Sequence, residues 1–279
     1  GAILGVTVSC LVSAIYLRRK LAPAYRALPR TTEAVESYGA TAKQVLSIAI
    51  PITIGAAGLQ LLTVVESGLY MGQLLDIIGG GRYMKAMVTP QMDAQAVADT
   101  LKGIYNMTQT IFNMPCAFMI PITTSVLPAI TSYITLNDHK AVKATEESAA
   151  RIAGLLALPC TVGLILLAEP VMALLGGYRG VRLELAGKLM QILGLCVFLY
   201  AIIQYTNVVL QSHGYAHVPV INMLVCGAVK LIVVYVLVGN PQVGILGAPI
   251  GAALCYFFIG ALNLIAIRRL APQKPKILT

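Results

Sequence analysis

Apolar residues run along this chain in stretches long enough to cross a bilayer seven times: 1–17, 44–75, 104–135, 146–175, 186–212, 218–238 and 244–267. About 20 consecutive apolar residues suffice for one helical crossing. The ~10-residue alternating segments of a transmembrane β-barrel are not what the pattern shows. It predicts an all-α, polytopic membrane protein. Segment 18–43 interrupts the pattern with Pro23, Pro29, a basic first half and then Glu33 and Glu36, and reads as a linker between two bundles. The organisation expected is one helix (1–17), the linker (18–43), a six-helix bundle (44–267) and a short tail (268–279). The chain opens Gly1-Ala2-Ile3-Leu4 inside an apolar run with no basic n-region, so it reads as starting partway through a longer protein and not with a signal peptide.

Composition agrees with that pattern. Of 279 residues, 58% are hydrophobic and 11% charged, against about 25% charged in soluble domains. The net charge of +9 is explained by topology and by attraction to anionic lipid heads, without a nucleic-acid partner. Thirteen of the twenty basic residues fall in 18–43, 140–151 and 268–276, on one side of the predicted membrane. Lys and Arg are retained on the cytoplasmic side, so the linker and tail face the cytoplasm. The loop 76–103, which opens Gly79-Gly80-Gly81, faces outside. It carries no GxGxxG or Walker pattern, and Asp93 is its N-cap candidate for the next helix.

Cys10, Cys116, Cys160, Cys196, Cys226 and Cys255 fall singly inside apolar spans, which suits small packing residues better than metal ligands. His139, His213 and His217 fall in cytoplasmic turns. No cofactor motif, metal-ligand spacing or Ser/His/Asp set is present, so nothing argues for an enzyme.

Polar residues within the spans carry more information, because they are expensive in lipid and face a cavity or a partner helix. Gln60, Thr63 and Ser67 stand at i, i+3, i+7, as do Asn106, Gln109 and Asn113, and again Gln204, Asn207 and Gln211. That spacing places each trio on one helical face. Together they read as the walls of a shared water-lined pathway; singly, each also reads as interhelical hydrogen bonding. Pro51, Pro115, Pro121, Pro128 and Pro159 interrupt the same helices, and Gly247 and Gly251 form a small-xxx-small packing face. Two charges remain at membrane depth, Glu66 and Lys230. Each unpaired charge costs about 2.5–3.5 kcal/mol at mid-membrane, so the two are expected to share one polar region and to be coupled.

These features meet in a family resemblance. Ile50-Pro51-Ile52-Thr53, the run Asn113-Met114-Pro115 through Pro121-Ile122-Thr123-Thr124-Ser125-Val126-Leu127-Pro128, Leu158-Pro159-Cys160-Thr161, Ala168-Glu169-Pro170, Gln211-Ser212-His213-Gly214-Tyr215 and Gly247-Ala248-Pro249-Ile250-Gly251 occur in order across nearly the whole chain. The series resembles the C-terminal half of the stage V sporulation protein B and polysaccharide-transporter branch of the multidrug/oligosaccharidyl-lipid/polysaccharide flippase superfamily, the superfamily that also holds the MATE-like exporters. The resemblance implies a two-lobe transporter that moves a lipid-linked oligosaccharide or peptidoglycan precursor to the outer leaflet by alternating access. It also implies that 1–17 is the last helix of an N-terminal lobe whose earlier helices lie outside this sequence. Relatives hold a cation between the helices equivalent to 44–75, 218–238 and 244–267, where the position of Glu66 is usually Asp. Lys230 puts an ammonium in that neighbourhood, in place of a metal. Sodium, protons and membrane potential all remain open as driving forces. Two other readings stand beside the flippase: a cation-coupled multidrug exporter of the same superfamily, and a membrane enzyme of polysaccharide assembly.

Overall fold

The computed structural model describes residues 2–27, 38–80 and 93–270, with side chains from residue 61 onward except Ile122 and only a few before it. The centre of the predicted linker, residues 81–92 of the 76–103 loop and the end of the tail lie outside the described residues. The chain divides into two units, residues 1–51 and 52–279. The first holds α1 (Ala2–Ala27) and the start of α2 (Tyr38–Gly79). Helix α1 runs through Arg18, Arg19, Lys20 and Pro23, so the linker is helical at both ends.

The second unit is built from the remainder of α2, then α3 (Ala94–Thr135), α4 (His139–Leu166), α5 (Ala168–Gly176), α6 (Val181–Ser212), α7 (His217–Val238), a 3₁₀ turn at Gly244–Leu246, and α8 (Gly247–Leu270). No strand occurs among the described residues. Six of these helices are long and apolar enough to cross a membrane. The protein is therefore a polytopic helical membrane protein. Asp93 stands at the N-cap of α3 with extended backbone, although its side chain makes no cap bond.

The predicted crossing 146–175 is divided. Helix α4 ends at Leu166, and α5 begins one residue later. Pro170 is the cause: it has no N–H for the Leu166 carbonyl, and its ring disfavours helical backbone at Glu169. Leu167 still donates to the Gly163 carbonyl and accepts from Val171, so the junction bends without losing its neighbouring bonds. The prolines inside α3, at 115, 121 and 128, leave the helix continuous.

Helix α6 is the axis of this unit. Buried Leu185, Leu189, Met190, Leu193, Val197 and Ala201 follow its inner faces, and α3, α4, α5 and α8 pack around it. Phe112, Tyr200 and Tyr256 join α3, α6 and α8, with ring centroids 6.1–6.4 Å apart. Helix α7 packs chiefly on α8. That contact depends on glycine, because a Cβ on Gly247 would stand 2.8 Å from both the Leu237 Cβ and the Val238 backbone nitrogen. Outward, α4 presents Leu155, Leu158 and Val162, while α7 presents Val225, Val229, Ile232 and Val236. These faces suit lipid.

Gly247→Ala should destabilise the protein by about 1–3 kcal/mol, since backbone blocks the new methyl. Gly103→Ala, where a Cβ meets nothing within 4 Å, should be neutral or gain up to about 1 kcal/mol. Thermal unfolding in detergent distinguishes the two; equal midpoints would contradict the close α7–α8 approach.

Candidate functional site

Helices α2 and α7 bring the two intramembrane charges together. Lys230 Nζ donates to Glu66 Oε2 at 2.7 Å, with side chains 17% and 10% exposed. One turn before Lys230, a Cβ on Gly227 would lie only 3.0 Å from Leu62, so glycine there lets α2 come close. The pair borders a pocket of about 210 Å³ that Thr63, Tyr256 and Cys255 also line. Glu66 Oε1 is buried and accepts no hydrogen bond. On its other side Lys230 borders an apolar groove of about 330 Å³ between α7 and α8, flanked by Val225, Val229, Leu254 and Phe258.

A metal cation does not fit beside this pair. An ion held by Glu66 would stand within about 4 Å of the ammonium, where like charges repel by about 4 kcal/mol at an effective dielectric of 20. Lys230 already supplies the positive charge that Glu66 needs. Among the described residues no group of three His, Cys, Asp or Glu gathers as a metal site.

The three polar trios have different surroundings. In the first, the side chain of Gln60 lies outside the described residues, Thr63 is exposed, and half-buried Ser67 shares a hydrogen bond with the Tyr70 hydroxyl. In the third, Gln204 is half-buried and Gln211 exposed, but Asn207 is buried and accepts at 2.9 Å from Asn263. Asn263 is the hub of a network absent from the sequence reading. Its amide also donates to Thr206 at 3.2 Å, and its oxygen accepts from Asn222 at 2.8 Å. One fully buried carboxamide thus ties α6, α7 and α8 together, and interhelical bonding describes Asn207. A second unforeseen contact joins α4 to α6: Glu146, 1% exposed, lies 2.8 Å from His213 Nε2.

The second trio is the one that opens outward. Half-buried Gln109 donates back to the Tyr105 hydroxyl at 3.0 Å, while Asn106 and Asn113 are exposed. They belong to a longer strip on α3. Asp99, Gly103, Asn106, Thr110, Asn113 and Ala117 are all exposed, and at 100° per residue they occupy a sector about 80° wide. Thr124, Thr131 and Thr135 continue the same line, with exposed Pro121 and Pro128 set between them. From Asp99 to Thr135 it covers about 54 Å at 1.5 Å per residue, more than the ~30 Å hydrocarbon thickness. Within this sector the first five turns carry no large apolar side chain, unlike the outward faces of α4 and α7, although exposed Met114 and Phe118 flank it. This face suits water.

The lobe thus combines a polar outward strip on α3 with an internal ion pair between α2 and α7. The family model described as "Lipid II flippase MurJ" matches residues 74–278. The chain belongs to the lipid II flippase family. The match takes in the α3 strip, Lys230 and Asn263, whereas Glu66 precedes it. A curated relative, the "Uncharacterized membrane protein YabM" of Bacillus subtilis (strain 168), is 31% identical over 178 residues, 63% of this chain and 32% of that protein. The chain thus aligns with about a third of that relative's length. No solved structure gives a significant match.

Removing either partner of the 66–230 pair leaves a lone buried charge, so Glu66→Gln and Lys230→Met should each cost roughly 3–5 kcal/mol. The double variant should cost clearly less than their sum. A double-mutant cycle on thermal stability in detergent measures this; additive losses would show that the charges are not coupled.

Proposed function

We propose that the full-length protein moves a lipid-linked saccharide, a peptidoglycan precursor or related lipid-linked oligosaccharide, from the inner to the outer leaflet by alternating access. In this reading the six crossings after residue 44 form the C-terminal lobe and α1 is the last helix of an N-terminal lobe, with 18–43 as the tether. The observation that carries it is the α3 strip. A saccharide headgroup must cross ~30 Å of hydrocarbon, and only a continuous hydrophilic wall lets it do so without losing its hydrogen bonds. Rocking of one bundle against the other would open that wall to each side in turn.

The Glu66–Lys230 pair supports a particular form of this mechanism. An ammonium fixed to the chain holds α2 against α7 where relatives use a mobile cation, so transport runs without a sodium requirement at this site. Sporulation, wall synthesis and capsule export are all compatible with the substrate class. An enzymatic reading has no support in a flippase family or in the arrangement of Glu66, Lys230 and the α3 strip.

The test is a leaflet-exposure assay in vesicles holding the full-length protein and lipid II. Full-length protein should move the lipid at a rate unchanged when sodium is replaced by choline, while residues 1–279 alone should be inert. Equal activity of the fragment would remove the two-lobe mechanism. Drug efflux without lipid movement would favour the cation-coupled exporter.

A further inference from the structure

The chemistry of the α3 strip is selective about which part of such a substrate it can hold. From Gly103 to Thr135, α3 contains no Asp, Glu, Lys, Arg or His. Its only charges, Asp99 and Lys102, stand near its first turns. A diphosphate is held by cations or by clustered N–H donors, and this face offers neither. What it offers is carboxamide and hydroxyl. Asn106 and Asn113 are exposed, two turns or about 10.5 Å apart, and their side chains bond to nothing else among the described residues. Between them, the Thr110 hydroxyl donates to the Asn106 carbonyl at 2.9 Å, which turns its lone pairs outward as acceptors. Thr124 and Thr131 do the same, donating to the Ile120 and Leu127 carbonyls at 2.9 Å. Gly103 and Ala117 leave the ends of this stretch shallow, with open space over Gly103.

A carboxamide both donates and accepts, as do the hydroxyl and N-acetyl groups of a sugar. We infer that the α3 face around Asn106, Thr110 and Asn113 is the subsite for the uncharged saccharide of the transported lipid, and that its diphosphate is held by another part of the protein. The inference rests on the flippase reading for its ligand. Packing against a second lobe explains the face less well. Permanent cover would leave two carboxamides to be satisfied in a dry interface, whereas exposed Asn106 and Asn113 two turns apart suit a polar ligand.

The experiment measures binding of two lipids to full-length protein in detergent: lipid II, and the same prenyl diphosphate without sugar. Asn106→Leu/Asn113→Leu should raise the Kd for lipid II by roughly tenfold or more, the scale on which a polar site rejects a ligand it no longer bonds, and leave the Kd for the sugar-free lipid unchanged. Asn106→Gln/Asn113→Gln should recover much of the loss. An equal loss for both lipids, no loss for either, or equal wild-type affinity for the two would overturn the subsite. So would a large fall in melting temperature of the Leu variant, because it would show the face to be packed against protein. Transport is measured separately in vesicles. Sugar-dependent binding without lipid movement would sink the flippase reading while leaving the saccharide subsite standing.

Discussion

A hydrocarbon interior offers a polar group no partner, and the rest of this structure follows from how each polar residue at membrane depth meets that constraint. The most demanding case is the pair of formal charges. Glu66 and Lys230 stand 164 positions apart in sequence, yet their side chains meet at 2.7 Å. Either alone would cost about 2.5–3.5 kcal/mol on insertion scales. Their contact cancels much of that penalty and pins α2 to α7 at one level. Glycine at 227 is what lets the two helices approach.

The other polar groups sort into two kinds of solution. Asn207, Asn222, Asn263 and Thr206 satisfy one another between α6, α7 and α8, and Glu146 meets His213 between α4 and α6. These groups face inward and fix how the helices stand against each other. Asn106, Thr110 and Asn113 face outward on α3, exposed among the described residues. The inward set ties α4, α6, α7 and α8 together, and the outward set supplies the exposed polar surface that the proposed headgroup movement requires. A transporter that rocks needs both.

Much of this could be read from residue order. Long apolar runs marked the crossings, and two charges within them demanded a shared environment. The i, i+3, i+7 spacing identified the α3 face, but could not separate it from the similar face on α6. That distinction depends on which neighbour each face meets. Asn207 finds Asn263, while Asn106 and Asn113 find no partner among the described residues. Two residues were legible in hindsight. Asn263 interrupts the apolar row Cys255, Ile259, Ile267, and Glu146 interrupts Val142, Ala149, Ala153, Ala157; a polar residue on an otherwise apolar inward row signals a buried partner. The division of the fourth crossing was also signalled, by Glu169-Pro170 inside an apolar run whose hydropathy hid it.

The central division is between a wet outward face on α3 and the dry hydrogen-bonded cluster around Asn263. Single cysteines in full-length protein lacking the native ones, treated in membranes with a small water-soluble thiol reagent, test it directly. Positions 106, 110 and 113 should react. Position 207, clamped by Asn263, and positions 155 and 229, on apolar outward faces, should not. Unreactive cysteines along α3, or labelling at 207 as fast as at 106, would contradict the division on which this reading of the lobe rests.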